Sequence, residues 1–109
     1  MHELAITQSV VQAVLEKTGD RKVTVVRLKV GRLSGVVPDA MRFCFDLVTA
    51  GTALEGADLE IDEPPGLAHC RVCGDDFGVS DLLLLCECGS SDVEVKTGRE
   101  LLVSSVEAR

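Results

Sequence analysis

CRVCG at residues 70–74 and CECG at residues 86–89 set four thiols in two close pairs, with twelve residues between Cys73 and Cys86. Thiolate suits a tetrahedral zinc ion, and two short chelating loops on facing hairpins can bring four sulfurs to one ion. Cys70, Cys73, Cys86 and Cys88 are therefore read as a structural Zn(II) site. Gly74 and Gly89 each follow a pair. A glycine there can take positive φ, turning the backbone so that its N–H groups aim at sulfur. The second pair is C-x-C and not C-x-x-C, so its knuckle must differ in geometry from the first. His69, directly ahead of Cys70, is a possible substitute ligand, although its plainer reading is an exposed loop residue. Two other readings of the thiols stay open: a chance cluster or disulfides, and an iron site of the rubredoxin sort, which uses the same ligand set.

The other chemically suggestive stretch is the opening MHE. The Met1 α-amine, the His2 amide and the His2 imidazole are three nitrogen donors within two residues. A divalent ion that favours square or tetragonal nitrogen coordination, Ni(II) or Cu(II), can gather them in fused chelate rings. Glu3 offers a further backbone nitrogen or its carboxylate. The plainer reading is that His2 and Glu3 merely start a helix. Cys44, the fifth cysteine, falls on the apolar side of a helical pattern and reads as a small hydrophobe, not a nucleophile.

These residues need a scaffold, and the composition permits one. The chain has 109 residues, room for one domain carrying a smaller module. Hydrophobic residues make up 46%, enough for a packed core, but aromatics only 3%, so that core must be aliphatic. A formal charge of -7 repels phosphate backbones and makes nucleic acid a poor partner. The longest apolar run, Leu82 to Cys86, is far short of the roughly 20 residues that span a bilayer. The start carries Glu3 and no basic segment of the export type. A cytoplasmic location without membrane association is expected, and thiols are kept reduced there. Nothing pairs a nucleophile with a base or forms a phosphate loop, so no catalysis is expected.

Residues 3–18 read as a helix with Ser9, Gln12 and Glu16 on its wet face. Ile6, Val10, Ala13 and Val14 lie opposite, widened by Leu4, Val11 and Leu15. Gly19 and Asp20 end it. Val23 to Val30 alternates as a strand, and GRLSG is a loop. Pro38 opens a second helix with Asp39 at the positive end of its dipole. There Arg42, Asp46 and Thr49 are expected on the wet face, with Met41, Cys44, Phe45 and Val48 buried, and Gly51 stops the helix. LEIDE, residues 59–63, is a second strand, and PPG, residues 64–66, a stiff break. The tail ELLVSSVEAR reads as one more strand, with Leu102, Ser104 and Val106 on one face and Leu101, Val103 and Ser105 on the other. It should return to the first sheet, since three strands hold where two do not. The expectation is an α+β fold. Residues 1–66 and 98–109 form an α/β domain of two helices on a three-stranded sheet, and residues 67–97 are an inserted zinc-ribbon-like module. About 32 residues bury too little apolar surface to fold unaided, so metal would supply the difference.

Four segments together, MHE at residue 1, GRLSGVVPDAMRFCFD at 31–46, CRVCG at 70–74 and CECGSSDVEVKTGRELLVSSVE at 86–107, resemble the HypA/HybF family of hydrogenase-maturation nickel chaperones. The similarity runs in order along essentially the whole chain. It implies a nickel domain with an inserted zinc module, as the pattern of elements also suggests. It further implies Ni(II) as cargo at Met1, His2 and Glu3, with His2 the essential ligand, and a structural zinc on Cys70, Cys73, Cys86 and Cys88. The implied partners are a nickel-handling maturation GTPase and the large-subunit precursor of a [NiFe]-hydrogenase. The shortened second cysteine pair departs from the family's usual C-P-x-C. Asp39 lies near the place where the family is said to use a carboxylate. Two rivals come from other classes. A zinc-ribbon adaptor for nucleic acid or a transcription complex would need a basic or aromatic surface, and a rubredoxin-like electron carrier would be red.

Overall fold

The alternation in VTVVRLKV buries Val23, Val26, Leu28 and Val30 of strand β1 (Val23–Val30) and makes β1 the middle of a sheet. The computed structural model describes residues 2–79 and 84–109. Strand β2 (Asp58–Asp62) lies parallel to β1, with Val26 beside Leu59 and Leu28 beside Ile61. A parallel neighbour requires a crossover, and helix α2 (Pro38–Thr49) lies on it. On the other side of β1 the closing strand of the chain, Leu101–Ala108, runs antiparallel. Helix α1 (Glu3–Thr18) packs on α2. The expected α+β arrangement is thus observed, with β2 displaced by one residue from the LEIDE reading.

Between the two ends of this sheet the chain builds a second three-stranded sheet. Strand β3 (Gly66–Cys70) lies between β4 (Asp76–Val79) and β5 (Val93–Thr97), both antiparallel to it. The chain then returns as β6 (Leu101–Ala108) to the first sheet. Leu82 and Leu83 of the apolar run lie outside the described residues.

Each sheet has its own hydrophobic cluster. Ten buried residues surround the first: Val11, Val14, Val23, Val26, Leu28, Val30, Val36, Met41, Phe45 and Leu54. Among the described residues, Leu33, Ala68 and Val79 are buried in the second, edged by Phe77, Leu84 and Val95. Leu33 comes from the GRLSG loop that follows β1, so this loop joins the two sheets. Its Leu33 N–H donates to the Gly98 carbonyl at 2.6 Å and its Arg32 N–H to the Pro64 carbonyl at 3.0 Å. The approach is close enough that a Cβ on Gly31 would overlap the Gly98 carbonyl.

Four details of the face assignments differ from the sequence pattern. Thr49, expected in solvent, is 2% exposed. Its Oγ1 donates to the Phe45 carbonyl at 2.7 Å, and that bond inside the helix makes the hydroxyl cheap to bury. Thr7 is buried in α1 by the same device, donating to the Glu3 carbonyl at 2.7 Å. The buried stripe of α1 is therefore Thr7, Val11 and Val14, while Leu4 and Ala13 are exposed. In β6, Val103 and Val106 both pack against the first core, although strict alternation would put them on opposite faces. A bulge accounts for this: Arg27 pairs with Ser105 and Leu28 with Val103, leaving Ser104 as the extra residue. Ser104 Oγ donates to the Arg27 carbonyl at 3.2 Å.

Candidate metal centres

The first cysteine pair straddles the turn from β3 to β4, and the second precedes β5. Cys70 is the last residue of β3 and Cys73 lies three residues on. The turn closes when the Gly74 N–H donates to the Cys70 carbonyl at 3.0 Å. At the second pair the Gly89 N–H donates to the Cys86 carbonyl at 2.9 Å. One loop spans four residues and the other three, so the shorter C-x-C pair sits on a turn one residue tighter. Gly74 and Gly89 have φ of 79° and 92°, a conformation that other residues rarely adopt. Their N–H groups go to cysteine carbonyls and not to sulfur, contrary to the sequence reading. Other backbone N–H groups of these turns face sulfur, among them that of Cys73, 3.5 Å from Cys70 Sγ.

These turns bring the four sulfurs within 4.8 Å of one another. Cys70 Sγ lies 3.7 Å from Cys88 Sγ, and Cys73 Sγ lies 3.6 Å from Cys86 Sγ. A tetrahedron with metal–sulfur bonds of about 2.3 Å has edges of about 3.8 Å. These two sulfur pairs thus stand at about the edge length of a tetrahedral tetrathiolate. All five cysteines are free thiols, and Cys44, half-buried on α2, stands apart from the group. Cys70 and Cys86 are buried while Cys73 and Cys88 face solvent, so the group has a closed side and an open side.

Backbone N–H groups, desolvation and neighbouring sulfurs set the acidities of the four thiols. The Cys73 N–H lowers the Cys70 thiol to about 6, helped by the Val72 N–H and the neighbouring thiols. At Cys73, Cys86 and Cys88 the Asp75, Cys88 and Ser90 N–H groups respectively favour thiolate, but desolvation and adjacent sulfurs outweigh them and the thiols sit above their ordinary value. Four thiolates together need a positive charge among them.

His69 does not join the group. It lies in β3, half-buried, with Nδ1 2.6 Å from Asp76 Oδ1 on the facing strand. The exposed-loop reading is corrected to that of a strand residue held by its cross-strand partner.

At the other end of the chain, Met1 lies outside the described residues. His2 is exposed at the N-cap of α1 and makes no side-chain capping bond. Its carbonyl accepts the first helical bond, from the Ile6 N–H at 3.1 Å. The His2 and Glu3 amides precede that bond and have no acceptor within the helix. The Glu3 carboxylate is engaged: Oε2 accepts from the Val37 N–H at 3.1 Å, and this bond is the main reason its carboxyl lies below the ordinary range. Sequence reasoning missed Val37, because a backbone amide 34 positions away leaves no mark in the pattern of side chains. Asp39 is exposed in the first turn of α2.

Among the described residues, no helix is long and apolar enough to cross a membrane. The model of the family described as "Hydrogenase/urease nickel incorporation, metallochaperone, hypA" matches residues 1–108. A hydrogenase maturation factor HypA from a Nostoc species is 48% identical over 107 residues, covering 98% of this chain and 95% of its own length. One of the same description from Geobacter metallireducens is 46% identical over 108 residues, covering 98% of both. The fold is also that of the Ni metallochaperone HypA from Helicobacter pylori. That solution structure superposes with a TM-score of 0.68 at 23% identity, over 99% of this chain and 97% of the other.

Proposed function

This chain belongs to the HypA family of nickel-incorporation metallochaperones, a family of metal carriers and not of enzymes, and we propose that it carries Ni(II) at its N-terminus for assembly of a [NiFe]-hydrogenase. The Met1 amine, the His2 amide and imidazole, and Glu3 supply the nickel site. What carries this reading is that the His2 imidazole and the first amides of α1 are uncommitted to the fold. The His2 ring caps nothing, and the first amides of α1 precede its first hydrogen bond. Nickel can therefore take or leave them without breaking structure. A carrier requires this, since an ion bound as part of the core could not be released.

Cys70, Cys73, Cys86 and Cys88 hold a structural zinc that is not delivered. Their spacing fits a tetrahedral ion, and the small second cluster leaves the fold of that sheet dependent on it. The chain divides into a discontinuous nickel domain, residues 1–66 and 98–109, and a zinc module, residues 67–97. The receiving partners are a nickel-handling GTPase and the hydrogenase large-subunit precursor, met in the cytoplasm. Colour separates zinc from iron, since a ferric tetrathiolate is red.

Nickel titration of tag-free protein at two pH values tests the reading. His2→Ala should weaken binding at least about a hundredfold with the fold intact, a loss of about 3 kcal/mol. A short leader before Met1 turns the amine into an amide and should cost nearly as much. Amine and imidazole coordinate only as free bases, so affinity should drop steeply between about pH 8 and about pH 6, with protons released on binding. An extended protein that binds nickel like the native one would remove the amine from the site.

A further inference from the structure

Glu3 stands in the proposed nickel segment, yet the structure gives its carboxylate another occupation. We propose that the Glu3 carboxylate is a positioning group and not a nickel donor, holding the N-terminal donors in place by gripping the backbone at the start of α2. This rests on the nickel reading above and narrows it: Glu3 lends the metal at most its backbone nitrogen.

The grip is built from both sides. On α1, the Glu3 carbonyl accepts from Thr7 Oγ1 at 2.7 Å, and Thr7 is buried, so the backbone of Glu3 is pinned to the core one residue from His2. From that point the side chain reaches across to α2, where Oε2 accepts the Val37 N–H. The donor is equally fixed. Val37 precedes Pro38, and a residue before proline is confined to extended backbone. Its φ of -92° and ψ of 113° agree. The residue before it, Val36, is buried in the first cluster. Val37 is the N-cap of α2, and Glu3 supplies from α1 the acceptor for its backbone N–H that a Glu or Gln at the third helical position provides in a capping box, where this helix has Ala40.

The consequence falls on His2. The first turn of a helix frays because its leading N–H groups lack acceptors. Entropy lost in ordering a loose terminus would be drawn from nickel affinity. With residue 3 fastened at its backbone and its side chain, the imidazole and amides next to it start from a restricted set of positions. A charged acceptor on a backbone donor makes a stronger bond than a neutral one, yet an amide oxygen can accept in the same place. The tether is thus separable from metal ligation by a single substitution.

The experiment compares full-length, tag-free native, Glu3→Ala and Glu3→Gln proteins. It measures Ni(II) affinity by titration and exchange of the Val37 amide by NMR. Glu3→Ala should weaken nickel about tenfold, the loss of one partly exposed charged hydrogen bond, and expose the Val37 amide to exchange. Glu3→Gln should recover most of that loss, keep Val37 protected, and leave the nickel absorption bands in place. If Glu3→Gln binds nickel as weakly as Glu3→Ala while Val37 stays protected, the carboxylate is a donor and the proposal fails. Unchanged Val37 exchange in Glu3→Ala would also overturn it, since the grip would then not exist. Native protein indifferent to blocking of its amine would overturn the nickel reading, a result distinct from either of these.

Discussion

Around β1 the interior is made of ten buried residues from both helices, the sheet and its loops. Around β3 it is made, among the described residues, of three, one of them borrowed from the loop after β1, with the four-sulfur group at the end of β3. The first region has what an aliphatic core needs to stand alone. The second, among the described residues, has few buried apolar side chains for its length, a condition in which a bound metal can complete a fold. The contrast separates two ways of using metal donors. Where four side chains from distant parts of a module converge, binding and folding are one event. In the nickel reading proposed above, donors that follow one another at the start of the chain would bind to a fold that is already complete.

The sharpest attack on this contrast is to take the metal away. Chelation should unfold residues 67–97 while α1, α2 and the first sheet keep their amide protection. The expected loss in the module is on the order of 10 kcal/mol, as for structural zinc in small peptides. Persistent protection from Cys70 to Cys88 in metal-free protein would show that the second sheet does not need the ion. The reverse experiment comes next. Phe45→Ala empties a site in the first core and should cost about 3–5 kcal/mol in thermal or denaturant unfolding of the first region. The metal-bound cysteine turns should keep their exchange pattern, and loss of metal in parallel with the first core would erase the distinction between the regions.

Leu33→Ala probes the join between them. A buried leucine costs about 2–5 kcal/mol when truncated, and the lower end is expected here because Leu33 is 9% exposed and its cluster is small. The loss should appear as faster exchange in β3 and β4 with α1 unchanged. An effect confined to the first sheet would mean that Leu33 does not belong to the second core in solution. The smallest effect concerns communication. Cys73→Ala should shift nickel affinity by about threefold or disturb docking to the GTPase, because the loop that carries Leu33 runs straight into Val37 and the start of α2. Such a shift is under 1 kcal/mol. An unchanged isotherm with unchanged docking would make the two regions independent.

Much of the architecture was legible because its causes are local. Gly19 and Gly51 mark the ends of the helices, Pro38 opens α2, and alternation marks β1. The cysteine pairs announce their turns, and the return of β6 to the first sheet follows from the need for a third strand. The errors share one physical origin. A threonine reads as polar, and no pattern of side chains tells whether its hydroxyl is already satisfied four residues back, as at Thr49. Alternation assumes an unbroken ladder, and the bulge at Ser104 depends on the strand opposite.

The sequence by itself determined the chemistry: which donors exist, which stand together in the chain, and that four thiols in two short pairs suit one ion. It also determined the elements, because helix ends and strand alternation are settled by steric preferences over a few residues. Only the tertiary structure decided how the parts hold one another. It gathered the four sulfurs within 4.8 Å of one another, tied His69 to Asp76, and sent Leu33 into the second core. It turned the Glu3 carboxylate to the Val37 amide. These contacts join groups far apart in the chain, or depend on which of several reachable partners lies nearer. A hydrogen bond or a buried methyl group is settled by distance in space, which local pattern does not contain.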